Sequence, residues 1–318
     1  MVSAIRICVG LFVALTWNWN TVSAAQAALA AQEGPNYCSA RVRASICVVS
    51  PMRRLLRRRD VLQRRCLAGG AKFARAILES YKRMPPLLQQ QMCKLDRIFI
   101  ERSFWASGYA HPRTNTIGIH QRMFEEQKAL SKWATWKEGL PFAKEDIAKH
   151  IESGRSILLP RIRVNAPDGP ISSVFFILAH ELAHRIDLER GLSRFPQSRF
   201  AEISWRPHKK YIKSAHLPPS WTVPCFYRCD EDKLPLSDVR QIYSDLLRGG
   251  FVSLYASRHP SEDFAETLTY YVMTLQKDLE FELRVGHTKV IDLNSLQKNR
   301  LIRQKFDYMR SLLSGELN

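Results

Sequence analysis

The residues best placed to do chemistry together are His180, Glu181 and His184, an H-E-x-x-H run within the segment Ser172 to Arg190. Residues four apart in a helix lie one turn along the same face, so both imidazoles can address one ion while Glu181 projects beside them. Two nitrogen donors on one rigid element suit zinc, which then needs a third protein ligand and keeps a position open for water. Such a run arises by chance in roughly one chain in a hundred of this length, so its surroundings must decide. Val174 to Leu178 make the preceding stretch apolar, which puts two histidines and a glutamate on a helix buried over most of its surface. Those groups are costly there unless something satisfies them.

A source for the third ligand lies downstream. His259-Pro260-Ser261-Glu262-Asp263-Phe264-Ala265-Glu266 opens a second helix, with proline near its first turn and Leu268 and Val272 continuing its apolar face. Glu262 and Glu266 face the same way, so one can bind the ion while the other accepts a hydrogen bond from a ligand imidazole and fixes its tautomer.

Together these motifs resemble the glutamate-zincin metallopeptidases, and within them the branch that includes the anthrax lethal factor catalytic domain. Asp187 stands three residues after His184, as in that branch's H-E-x-G-H-x-x-D, and Tyr255 stands seven before Glu262, the spacing of its active-site tyrosine. Glu262-Asp263-Phe264-Ala265-Glu266 follows its E-F-F-A-E almost letter for letter, departing at Asp263. The resemblance covers residues 95 to 318 and implies zinc held by His180, His184 and Glu262, Glu181 as general base, Tyr255 facing the oxyanion, and Glu266 and Asp187 behind the ligands. It also implies peptide-bond hydrolysis, in which Glu181 takes a proton from the attacking water and delivers it to the leaving amine. Two positions depart from the branch. Ala183 replaces a glycine, and Arg185 stands where many zincins have an uncharged residue, which bears on substrate preference rather than on metal binding. The longer H-E-x-x-H-x-x-G-x-x-H pattern fails at Asp187 and Arg190, and no G-T-x-D-x-x-Y-G stretch offers an aspartate ligand.

The elements that must position these groups read as an α+β layout: a zincin-like domain with a small sheet and long active-site helices, preceded by a basic helical segment. Arg97 to Ile100 and Thr116 to Ile119 are expected strands, and Ile157 to Val164 a further one interrupted by Pro160. Helices are expected from Phe73 to Tyr81, Ala143 to Glu152, Ser172 to Arg190, Leu236 to Leu247, Pro260 to Leu275 and Leu296 to Leu313. Thr114 to His120 is either an edge strand that could pair an extended substrate or a strand of the sheet core. Trp105, Trp133, Trp136, Trp205 and Trp221 line subsites or fill the core.

The N-terminal part reads differently. Arg6 followed by the uncharged run Ile7 to Trp17 and by Val22-Ser23-Ala24 has the form of a secretory signal peptide, too short for a membrane span of roughly 20 residues. Cleavage after Ala24 takes the formal charge from +18 to +17 and the cysteines from seven to six, since Arg6 and Cys8 leave. Six cysteines in an exported chain point to disulfides, with Cys225 and Cys229 the nearest local pair; their spacing and the lack of a His-x3-His partner speak against a zinc knuckle. Between Ala40 and Arg83, 13 Lys and Arg stand against Asp60 and Glu79, with Met52 to Cys66 expected as an amphipathic helix ended by Gly69-Gly70. Arg53, Arg54, Arg57, Arg58, Arg64 and Arg65 on its polar face suit an anionic surface or polymer. Aromatic interleaving and helix-turn-helix or finger patterns are lacking, so no nucleic-acid partner is expected.

The expected organisation is therefore a signal peptide at 1–24, a basic cysteine-containing segment at 25–94 that is accessory or a pro-region, and a zinc metallopeptidase domain at 95–318. The expected function is a periplasmic or secreted zinc endopeptidase acting on protein or peptide. Two other readings are a basic surface-binding protein with a structural or degenerate zinc site, and a zinc amidase acting on cell-wall peptides.

Overall fold

The computed structural model describes residues 35–50, 64–102, 106–126, 128–143, 159–194, 196–208, 211–227 and 233–317. The expected signal peptide, Arg53, Arg54, Arg57, Arg58, Trp105, Cys229 and all but the first residue of the expected helix at 143–152 lie outside them.

The N-terminal part contributes α1 (Pro35–Ser45), β1 (Ile46–Val48), α2 (Ala71–Lys82) and α3 (Pro86–Cys93). Disulfides join Cys38 to Cys93 and Cys47 to Cys66. Phe73, Ile77, Tyr81, Leu88 and Met92 from α2 and α3 enter the same buried cluster as the long downstream helices.

β-Branched runs form the main sheet. β2 (Arg97–Glu101), β3 (Gly108–Ala110) and β4 (Thr116–His120) stand with β1 in the order β1-β2-β4-β3, all parallel except β3. Ile98, Phe99 and Ile100 are all buried, because both faces of the sheet are covered. On the far face Phe99 packs with Cys47 and Val49, and the Arg64 guanidinium lies 5.2 Å from its ring. Two expectations change here. Residues 64–66 are not helical: Cys66 is tied to Cys47, and the Leu67 N–H donates to the Val48 carbonyl at 2.8 Å. Arg64 is no surface charge, since its side chain is 9% exposed and pairs with Glu101 at 3.2 Å; Arg65 is exposed. Of the two places open to the strand around Thr116, it takes the internal one, and β3 is the edge beyond it.

The helical layer holds α4 (Leu130–Gly139), β5 (Pro160–Asn165) and α5 (Ser173–Arg190), followed by the hairpin β6 (Trp205–His208) and β7 (Tyr211–Ser214). Then come α6 (Val239–Arg248), α7 (Pro260–Thr274), β8 (Glu280–Val285), β9 (Thr288–Asp292), α8 (Leu293–Lys298) and α9 (Arg300–Leu313). Ser172 caps α5 by accepting from the Phe175 N–H, and Gly191 ends it at φ 68°, a left-handed conformation that suits glycine. α5 runs against β3 and β4 on one side and packs along α7 on the other. β5, β8 and β9 form a second antiparallel sheet, with Pro160 at the first position of an edge strand, where its missing N–H costs no ladder bond. The C-terminal helix is interrupted: Asn299 leaves helical geometry and caps α9 by accepting from the Leu301 and Ile302 N–H groups. None of the described helices is long and apolar enough to cross a membrane.

The deepest polar contact fastens α9 to α7. Lys305 is fully buried and donates to both carboxylate oxygens of Asp263, at 2.8 and 2.7 Å, and to the Gly250 carbonyl at 2.7 Å. Trp205 Nε1 adds a third donor to Asp263 at 2.8 Å. Removing one member of such a pair strands a charge, typically at about 3–5 kcal/mol. Lys305→Met is expected to lower stability by about that amount in denaturant titration, and pairing it with Asp263→Asn to recover much of the loss; a loss below about 1 kcal/mol would contradict the assignment.

Candidate metal centre

α5 presents His180 and His184 toward the first turn of α7. Their Nε2 atoms are 3.1 Å apart, and Glu262 Oε2 is 3.2 Å from that of His184 and 3.3 Å from that of His180. Three donors from two helices thus converge on one point. Bonds of about 2.0–2.1 Å in a tetrahedron put neighbouring donors about 3.3 Å apart, so this triangle has the size zinc requires. The potential fits as well. Burial disfavours a charged imidazole at His180, yet Glu262 and Glu266 outweigh it and hold its pKa up at about 9. Burial likewise works against ionised Glu262, and the two imidazoles overcome it to keep the carboxyl well below its ordinary range.

Glu266, one turn further along α7, does not point at that centre. Its Oε1 lies 3.0 Å from His180 Nδ1 and accepts from Lys137 Nζ at 2.8 Å, while its Oε2 accepts from Ser253 Oγ at 2.6 Å. Burial would raise this carboxyl, but Lys137 and His180 hold it at about 2, so it remains an anion behind the imidazole. Asp187 has a different engagement: it accepts from the Ser193 N–H at 2.7 Å and the Ser193 hydroxyl at 2.6 Å, tying the loop that leaves α5.

Glu181 is 5% exposed, and burial pushes its carboxyl pKa up while His180 and His184 pull it back. It lies directly beneath the edge strand: a Cβ added at Gly108 would stand 2.6 Å from its Oε1 and 2.7 Å from Ile177 Cγ2. β3 is held down from above, because Tyr109 packs over Gly118 and donates to Glu101 Oε1 at 2.6 Å. Arg185 acts here too. It is buried and donates to the His111 carbonyl at 2.9 Å, fastening the turn after β3 to α5. It faces the protein rather than a substrate, which removes the expected bearing on preference.

Tyr255 closes the other side, its ring centroid 6.0 Å from that of His180. Burial first, and then Glu262, push its phenol above the ordinary range, so it stays protonated at neutral pH. Lys137 Nζ lies 4.3 Å from the Tyr255 ring. These groups, with Ser107, Trp133, Phe176 and Tyr227, line a pocket of about 30 Å³, enough for one or two waters. Trp205 belongs instead to the core contact with Asp263. Trp136 stacks under Arg122 at 4.4 Å, and Trp221 is partly buried. Sequence reasoning did not find Lys137, Gly108, Ser253 or Tyr227. A lysine between Trp133 and Trp136 on one side and Glu138 on the other was the only local sign.

The family model described as "Putative zinc-binding metallo-peptidase" matches residues 142–317, which include α5 and α7. The chain belongs to this family. A solved structure from Bacteroides caccae with the same description is 14% identical and covers 87% of this chain and 94% of its own, with a TM-score of 0.30, too low to carry a structural argument. No curated protein matches the chain. The family's description as zinc-binding agrees with the donor set built by α5 and α7.

Three substitutions separate the roles within this family member. Glu262→Ala removes a donor and is expected to lower zinc affinity more than Glu266→Ala, whose effect should fall in the 10–100-fold range of groups behind the ligands; the reverse order in a chelator competition would overturn the assignment. Gly108→Ala is expected to leave zinc content intact and reduce activity, since the added methyl collides with Glu181 and not with a ligand. Loss of zinc from that variant would show the contact to be purely structural.

Proposed function

We propose that the chain is an exported zinc-dependent endopeptidase, with His180, His184 and Glu262 holding the metal. The convergence of those three donors beside a buried, uncoordinated Glu181 is the observation that carries this reading. Zinc in this position would supply Lewis acidity and a water whose pKa is lowered toward about 7. Glu181, with its carboxyl raised by burial, accepts a proton from the attacking water and passes it to the amine that leaves. Tyr255 donates its phenolic proton in a hydrogen bond to the oxygen on which charge develops, a contact that strengthens as the carbonyl becomes tetrahedral. Glu266 and Lys137 orient His180, and Ser253 links Glu266 to the loop that carries Tyr255.

β3 is the edge strand of its sheet, directly over Glu181. Pairing of an extended peptide with this edge supplies main-chain recognition and lays a peptide bond along the groove. The Glu262-to-Glu266 run and the Tyr255 spacing support placing the chain near the lethal-factor-like branch. Export is supported by the disulfides Cys38–Cys93 and Cys47–Cys66 and by Cys225, also disulfide-bonded. The segment upstream of residue 95 shares the main core, which favours a permanent part of the folded enzyme over a pro-region removed on activation.

Glu181→Gln tests the reading. Its zinc content should equal that of the wild type, while cleavage of a mixed peptide library, followed by mass spectrometry, should fall by about 10²–10⁴. A wild type that binds zinc and cleaves nothing, or a variant that cleaves equally well, would overturn it.

A further inference from the structure

Arg258 stands three residues after Tyr255 and is half-buried beside the site. Its guanidinium carbon lies 5.1 Å from the centroid of the Tyr255 ring and 5.8 Å from that of Phe226, and those two rings meet edge to face at 4.8 Å. The aromatic walls hold the cation in one place and shield part of it from water. Among the described residues no carboxylate lies within ion-pair distance of it, and its Nε is buried without a hydrogen-bond partner. The missing anion, and not the unpartnered Nε that Arg185 shares, sets it apart from its neighbours. Lys137 spends its charge on Glu266, Lys305 on Asp263, and Arg185 on the His111 carbonyl and Glu189. A half-buried guanidinium fixed against rings, with no anion beside it among the described residues, is a preformed receptor for one, because its planar fork is already oriented and little ordering remains on binding.

From this arrangement we infer that Arg258 is a specificity-determining residue that binds a carboxylate of the substrate, on the assumption that the site is a peptidase site as proposed above. Tyr255 connects the two places: its ring is 6.0 Å from that of His180 and 5.1 Å from the Arg258 guanidinium. An extended peptide advances about 3.3–3.6 Å per residue, so the carboxylate belongs within about three residues of the bond that is cut. An acidic side chain or the free C-terminus of a short peptide presents the same chemistry. The basic chain, +17 without the expected signal peptide, would attract either.

The test measures binding rather than turnover. Zinc-loaded Glu181→Gln is titrated with capped, otherwise neutral peptides in which one Glu, or Gln as its neutral match, is walked through successive positions, and with a neutral peptide carrying a free or an amidated C-terminus. One position, or the free C-terminus, is expected to bind about ten-fold more tightly than its neutral match. That ratio should fall to about one when Arg258→Gln is added and be partly kept with Arg258→Lys. If no carboxylate is preferred by the protein that retains Arg258, or the preference survives Arg258→Gln, the inference is wrong; the first arm decides even if Arg258→Gln misfolds. Wild-type cleavage of the same peptides is read separately. Discrimination in binding without cleavage counts against the peptidase reading and not against Arg258, whereas cleavage without discrimination counts against Arg258 alone.

Discussion

The packing of α5 along α7 imposes a constraint that the rest of the molecule has to meet. It buries or half-buries His180, His184, Glu181, Glu262, Asp263 and Glu266 in one region, and a buried charge without a partner costs more than any single apolar contact can return. Each acid on α7 accordingly has its own answer. Glu262 turns to the two Nε2 atoms, Asp263 to Lys305 of α9, and Glu266 to Lys137 of α4 and Ser253. Consecutive turns of one helix are thereby fastened to separate elements. The place of Glu262 relative to α5 is fixed by the Asp263–Lys305 pair, away from the centre, and by Glu266 behind His180.

The same logic explains why the sheet matters. Glu181 needs a dry ceiling to keep its carboxyl pKa high, and β3 provides it only because residue 108 lacks a side chain. Tyr109 and Arg185 then hold the strand down from opposite ends, one through Glu101 and the other through the His111 carbonyl. Glu101 in turn receives Arg64 from the segment upstream of the sheet. The basic N-terminal part is in this way connected to the edge strand over the site, through a buried ion pair and the disulfide at Cys47.

Much of the centre was legible in the sequence because its information is local. The four-residue spacing of His180 and His184, and of Glu262 and Glu266, fixes which side chains share a helix face whatever the tertiary structure. The helices at 173–190 and 260–274 carried strong caps and long apolar runs, so their ends were also readable. What failed was information that exists only across the chain. β8 and β9 pair over a short turn and look like ordinary charged sequence until β5 lies beside them. The edge of the main sheet is β3 because a three-residue strand pairs outside β4, an arrangement that no periodicity announces. Arg64 reads as one more surface arginine until Glu101 is found 3.2 Å away. Lys305, hidden among the apolar positions of α9, could have been suspected only from its place on the buried face.

In the proposed centre, two imidazole nitrogens and one carboxylate oxygen, from α5 and α7, hold a single zinc ion. X-ray absorption at the zinc edge of the purified, zinc-loaded protein tests it most directly. One zinc per chain is expected, with nearest-neighbour scattering from nitrogen and oxygen only at about 2.0–2.1 Å and multiple scattering from two imidazoles, one of which disappears in His184→Ala. A sulfur shell at about 2.3 Å, or two imidazoles that persist in His184→Ala, would contradict it.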